Sequence, residues 1–540
     1  MKLYFKILFC FSATFFLLQD VYAQKGDKIE LIQAEELEGI EIDGLPVRKL
    51  RGNVIFKQDD VLMYCDSAYQ YTKRNSIDAF GNVRINQRDT VQLTGDKLFY
   101  DGNTRKARVR DNVTLRDPQM TLTTDKLDYD LNTKIAYYME GGHIVDGPTT
   151  LKSKKGHYNT NTKLFRFRDD VVVNNPEENF VLESDTLHYS TATKIATFFG
   201  PSTITSDDGT IFAHEGTYNT ITAEYDFAKQ AEVKTEEYTI LGDKIHHDEK
   251  ADVTIINGNV KLQSPNDSII IESDHARHWG KQGLAKVYGN VLLKQYSEKD
   301  TLFLTADTLI SIDKKDNPDK KLIAYPKSKI WRSDLQTKAD SLVYDFADSI
   351  IYFYNDPVLW SEKNQISGDS IRLLMVNNNP DKMYVNNNSF IVSQDTIENF
   401  NQIKGRNMTA FFVDKKVNKV LVNGNAESIY YAIEEEKNKT TGMNKSLCSD
   451  MRIMFNSDNK LHTISFLANP NASFIPPHEI KEPETRLKGF KWRKEERPSR
   501  EEVVGVRIQQ NQVVFVPAPS PVSDKDAGGI DQVKAIEVLE

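Results

Sequence analysis

The sequence predicts an all-β protein, an elongated repeat-built stack of two facing sheets with a poorly ordered C-terminal tail. Three observations predict it. Tyr100, Tyr129, Tyr158, Tyr189 and Tyr218 return at intervals of 29, 29, 31 and 29 residues. A polar turn cluster fills the same slot after each of them. Between the turns apolar residues alternate with polar ones at period two, the mark of strands with one face inside and one wet. No convincing helical period runs through 40–470.

The chain opens with Lys2 and Lys6, an apolar run from Ile7 to Leu18, and Val21-Tyr22-Ala23 before Gln24. That is the layout of a secretory signal peptide over residues 1–23. Its apolar core is too short to cross a bilayer, which takes roughly twenty residues. The mature chain is therefore expected to be exported and soluble outside the cytoplasm. Cys10 falls inside the run, which leaves Cys65 and Cys448. In an elongated fold these lie too far apart to bridge, so two free buried thiols are expected. Removing residues 1–23 takes away Lys2, Lys6 and Asp20, a net +1, and moves the formal charge from −9 to −10. Acidic and basic residues are interspersed, and no basic patch tracks a phosphate backbone, so nucleic acid is not an expected partner.

Residues 24–235 carry the clearest repeat. The central unit reads Asp96-Lys-Leu-Phe-Tyr100, Asp125-Lys-Leu-Asp-Tyr129 and Asp185-Thr-Leu-His-Tyr189, with a later copy at Asp340-Ser-Leu-Val-Tyr344. The following turns are Asp101-Gly-Asn-Thr104, Asp130-Leu-Asn-Thr133, Asn159-Thr-Asn-Thr162 and Ser190-Thr-Ala-Thr193, residue types that accept left-handed backbone or bond to it. A preceding turn is read at Gly52-Asn-Val54, Gly81-Asn-Val83, Asp111-Asn-Val113, Gly258-Asn-Val260 and Gly289-Asn-Val291. Residues 236–470 continue the pattern in degenerate form. The span is expected to hold roughly thirteen or fourteen copies of about three short strands each, stacked into one continuous core. At a strand spacing of ~4.8 Å the body is expected to be on the order of 100 Å long. Residues 471–540 change character: prolines at 476, 477, 483, 498, 517, 519 and 521 and charges from Lys488 to Arg500 read as a largely unstructured tail. One short docking segment is expected around Leu487–Trp492, and a helical turn or two over Asp531–Glu540.

The inward positions of the alternation are the candidate binding surface. They are Val54, Phe56, Val83, Ile85, Leu93, Leu98, Val113, Leu115, Leu122 and Leu127. A closed, packed β-solenoid would show the same alternation, so the pattern does not distinguish a groove from a core. His246-His247 and His275-x-x-His278 lack an accompanying cysteine or carboxylate set at zinc spacing and read as exposed strand and turn histidines. The recurring aspartates (Asp96, Asp125, Asp185, Asp243, Asp274, Asp307, Asp340, Asp369) lack both calcium-roll and EF-hand spacing. Each reads as bonding a turn or the backbone of a neighbouring rung. The tyrosines read as a core or sheet-rim ladder. The chain has no nucleophile elbow, phosphate loop or dinucleotide fingerprint, and neither an enzymatic role nor a cofactor is expected.

Gly-Asn-Val, an apolar alternation, Asp-x-Leu-x-Tyr and then Asn-x-x-Thr-Lys-x-Ala together resemble OstA/LptA-type proteins, most clearly over Gly81 to Tyr100 and Asn112 to Ala136. The resemblance covers 45–235, with fainter copies to about 430. It implies a twisted β-jellyroll whose two sheets face each other across an apolar groove. It also implies a periplasmic carrier that takes the acyl chains of lipopolysaccharide in that groove and passes the lipid from the inner toward the outer membrane. The partners so implied are the lipid A acyl chains and other β-jellyroll transport components joined by end-to-end strand pairing. The chain departs from the family in length. It exceeds a single bridge subunit, and it lacks the segments for the outer-membrane barrel of the LptD relative. Two other functions share the fold class: a secreted or surface β-solenoid for adhesion or glycan binding, and a β-helix polysaccharide lyase or hydrolase.

Overall fold

A computed structural model describes residues 28–505, apart from 88–90, 178, 208, 237, 265–267, 298–299, 315–318, 378, 435–438 and 457–460. The signal-peptide region and the Asp531–Glu540 segment lie outside the described residues.

The alternation becomes a long antiparallel meander. Leu45–Gln58 pairs with Val61–Tyr71, that strand with Ser76–Gln87, and so on through Val91–Asp101, Lys106–Arg116 and Thr121–Asp130. The same succession, with some strands split in two, reaches Lys439–Phe455. Each strand pairs with near neighbours in sequence, so the fold grows along one axis. Within 40–470 the described residues hold a single 3-10 turn, Gly280–Gln282.

The strand count per repeat corrects the sequence reading. Each unit of about thirty residues supplies two long strands, for example Val61–Tyr71 and Ser76–Gln87, and not three short ones. The reason lies in the Gly-Asn pairs. They are not turns between strands but bulges inside them. In Leu45–Gln58 the register shifts between Arg51, opposite Ser67, and Val54, opposite Cys65, so Gly52-Asn53 faces the single residue Asp66. Both bulge residues sit in the left-handed region, at φ 78° and 45°, and Gly81-Asn82 repeats this at 78° and 43°. Such bulges bend a strand and strengthen its twist. Stacked from strand to strand, they fold one ladder into two facing leaves. Ala79 before a bulge and Val83 after it therefore belong to the same core. A glycine is needed at the first position because a Cβ on Gly81 would stand 2.4 Å from the Asp66 carboxylate.

Recurring aspartates act at these corners by holding the side chains of bulge asparagines, where a turn or the backbone of a rung was expected. Asn112 donates to Asp96 at 2.7 Å, Asn259 to Asp243 at 2.9 Å, Asn290 to Asp274 at 2.8 Å and Asn388 to Asp369 at 3.0 Å. Asp185 instead takes the hydroxyl of its neighbour Thr186.

Past the last long strand, ordered packing extends further than one docking segment. After Asn471–Ile475 come three 3-10 turns and the short helix Arg500–Val504. Leu487 and Val503 are buried against the sheet, with Phe490 and Trp492 packed beside Leu487. Residues 506–540 lie outside the described part.

Candidate functional site: the interior between the leaves

All ten candidate groove residues point between the leaves and share one apolar core. None exceeds 2 % exposure. In this section of the body the leaves therefore meet side chain to side chain.

Buried polar pairs lock them together. The Tyr100 hydroxyl donates to Gln58 Oε1 at 2.6 Å, and Gln58 Nε2 donates to the Gly102 carbonyl at 2.9 Å. Tyr129 donates to Gln87 at 3.1 Å, Tyr158 to Asp117, and Tyr189 to Asp146 at 2.9 Å. Partners lie 41 to 43 residues apart, and none of these pairs belongs to strands that neighbour each other in the ladder. Each stitch thus ties one leaf to the other at the rim. Lys163 adds an ion pair to Asp117 at 2.9 Å and Lys194 one to Asp146 at 2.6 Å. Burial pushes the Tyr100 and Tyr189 hydroxyls up, so both remain neutral donors. Burial also acts to raise Asp117, but the hydrogen bonds from Tyr158 and Lys163 prevail and hold its carboxyl below the usual range. The tyrosine ladder predicted from spacing is this row of stitches.

Farther along, the row changes chemistry. Beyond Tyr218, the last phenol of the series, the same spacing sets Ser206 against His247 and Thr235 against His278. Short hydroxyls replace the long amide and carboxylate acceptors, and imidazoles replace the phenols. His247 bonds Thr254 Oγ1 at 3.0 Å and Glu249 Oε2 at 2.9 Å. Here the leaves part. A trough of about 770 Å³ opens over residues 204–287. Its walls are apolar, with Ile211, Tyr225, Ile240, Leu262 and Ile271 among them, and its rim carries His247, His278, Glu249 and Asp252. Those wall residues are half-buried, unlike the ten candidates. The histidines were read as exposed strand and turn residues. They do lie on strands, but His247 and His278 face the trough, and burial holds the His278 imidazole below its ordinary value. A second, smaller apolar cavity of about 140 Å³ lies between the leaves near Met383, Ile403, Val420 and Ile464.

Sequence reading missed the trough walls because their alternation is identical to that of the closed section. The available signal was the loss of the tyrosine: His247 and His278 stand where the phenol should recur.

The chain is thus a two-leaved β-jellyroll with a continuous apolar interior, closed in one stretch and open in another. Residues 26–185 and 173–243 match the family described as OstA-like protein, and residues 270–379 match that described as LptA/(LptD N-terminal domain) LPS transport protein. The chain belongs to the OstA/LptA-like family. Among solved structures it is similar to LptH from Pseudomonas aeruginosa, described as the LptA homologous periplasmic component of the lipopolysaccharide transport device. That likeness has 14 % identity, covers 20 % of this chain and 75 % of LptH, and scores a TM of 0.18. No curated protein matches the chain. No helix among the described residues is long and apolar enough to cross a membrane.

Proposed function

We propose that this protein carries lipopolysaccharide across the periplasm, holding its acyl chains between the leaves and passing the lipid toward the outer membrane. The observation that carries the reading is the trough over 204–287, an apolar slot between two sheets in a chain of this family. Each methylene buried there contributes about 0.8 kcal/mol, so a few suffice to hold a chain. A wall of similar aliphatic residues offers no single deep trap. The ten inward candidates from Val54 to Leu127 continue the same wall and would have to part to receive lipid, whereas the trough needs no rearrangement. The head group would stay at the polar rim of His247 and His278. End-to-end strand pairing through the terminal strands would join the chain to other β-jellyroll components.

The test is photocrosslinking in living cells, with a probe placed in turn at Ile240, Ile271, Leu98 and Leu127, and at the outward Lys97 as control. Lipopolysaccharide adducts at Ile240 and Ile271, and none at Lys97, support the carrier. Adducts at Leu98 and Leu127 as well would show that the closed section opens in use. Silence at every inward position in an exported, folded protein overturns the proposal in favour of a surface or secreted solenoid.

A further inference from the structure

On the outer face of the C-terminal half, away from the lipid slot, one row of side chains crosses successive strands. Phe303 stands opposite Trp331, Trp331 opposite Gln336, and Gln336 opposite Trp360. Trp360 then faces Gln365, Gln365 faces Val392, and Val392 faces Gln402. Cross-strand partners share a face, so this is a stripe in which large apolar residues alternate with glutamines. The three glutamines are 0 to 3 % exposed and Trp360 is 1 % exposed. On the wet face of a sheet that burial needs a cover.

Residues 485–503 are the cover, and the glutamines read its backbone. Gln402 Nε2 donates to the Thr485 carbonyl at 2.8 Å while its Oε1 accepts from Leu487 N at 2.9 Å. Gln365 repeats the pattern, donating to the Lys491 carbonyl at 2.7 Å and accepting from Arg493 N at 2.7 Å. Gln336 Oε1 accepts from Arg497 Nε at 2.7 Å. The Gln402 and Gln365 amides each imitate a strand neighbour for one residue step of the segment, while Gln336 holds one of its side chains. Between these clamps Leu487, Phe490 and Trp492 anchor on Phe390, Val392, Ile429 and Phe400, and Val503 anchors on Leu292 and Phe303. The ladder below is complete without the segment, since those strands pair with one another. The segment can leave without breaking a strand pair. Its connection to the body runs through Pro476, Pro477 and Pro483, a stiff hinge.

We propose that this stripe is a peptide-recognition surface. It reads a turn-containing segment with the pattern Leu-x-x-Phe-x-Trp, is filled in cis by residues 485–503, and accepts the same segment from a second copy of the chain. Two copies that exchange these segments would be joined side by side with every contact conserved, a low-cost route to a dimer. The inference does not depend on the lipid reading.

A protease site inserted between Lys481 and Glu482 of the full chain tests it. After cleavage, a fluorescent peptide spanning 482–505 is expected to displace the cut segment and bind the body. Trp492→Ala in the peptide, or Gln365→Ala with Gln402→Ala in the body, is expected to weaken binding at least about tenfold, as truncating a buried anchor does. A scrambled peptide that binds equally well, or a folded cleaved body that never exchanges, overturns the proposal. Should the cleaved protein aggregate, hydrogen exchange on the uncut chain decides. Amides of 485–493 that open well before those of Phe400–Val413 support a detachable segment, and equal protection refutes it.

Discussion

Asn82 Nδ2 donates to Asp66 Oδ2 at 2.8 Å across a bulge at which both Gly81 and Asn82 have positive φ. The contact joins the corner of one strand to the strand before it, and equivalents recur along the body. An Asp at one position and a Gly-Asn pair sixteen residues later are thus one device, a hinge pin that turns a flat ladder into two leaves.

Replacing Gly81 by alanine places a Cβ against the Asp66 carboxylate and holds a non-glycine residue at φ 78°. A loss of at least about 1–2 kcal/mol is expected. Gly39→Ala, with nothing within 4 Å of the new Cβ, is the matched control and should be nearly neutral. Thermal denaturation of the two variants side by side checks this.

Tyr129→Phe removes the phenol from a stitch and leaves the buried Gln87 acceptor without it. A cost of about 0.5–1.5 kcal/mol is expected, the net worth of one intramolecular hydrogen bond. In a stacked repeat fold the effect should be local. Hydrogen exchange is therefore the better readout, with faster exchange around Ser76–Gln87 and Thr121–Asp130 and little change beyond Thr239–Asp248.

Leu98→Ala, in the fully closed section, should cost about 2–5 kcal/mol because the cavity cannot collapse. Ile240→Ala, on the half-buried trough wall, should cost distinctly less. Equal losses by denaturant titration would mean that the two stretches are packed alike in solution.

Cover docking should weaken in acid. The Glu496 carboxyl is held down to about 2 by hydrogen bonds from Arg493 first and from Lys338, against some opposition from burial. Its folded value lies below the unbound one of 4.5. The stability it adds is therefore present above about pH 4.5 and fades as pH falls toward about 2. Trp492 fluorescence should report the loosening, and Glu496→Gln should remove most of the pH dependence.

Cys65 and Cys448 are free and buried, as their number and spacing suggested. Burial pushes the Cys65 thiol up to about 12, so almost none is thiolate at neutral pH. Iodoacetamide should label Cys65 in denaturant and leave it unlabelled in the native protein, as peptide mapping by mass spectrometry would show.

Much of this was legible in the chain because it is local. Period-two alternation sets which side of each strand is apolar. The Asp-x-Leu-x-Tyr unit and the turn after it set the repeat, whereas the asparagine side chains that the aspartates hold were not legible. The resemblance carried the family. The long-range relations were not legible. A Gly-Asn pair has the same composition whether it turns the chain back or bends a strand that continues. Only the paired strand, with Asp66 opposite both residues, decides for a bulge. Leu98 and Ile240 sit in identical alternations, yet one is sealed and the other walls a slot. The difference lies in what meets each of them across the space between the leaves, which neither alternation records. The sequence by itself determined an all-β repeat with an apolar inner face, because strand patterning is written residue by residue. Tertiary structure alone decided where that face is closed, where it opens and what covers the outer stripe, because those outcomes depend on side chains meeting across the space between leaves.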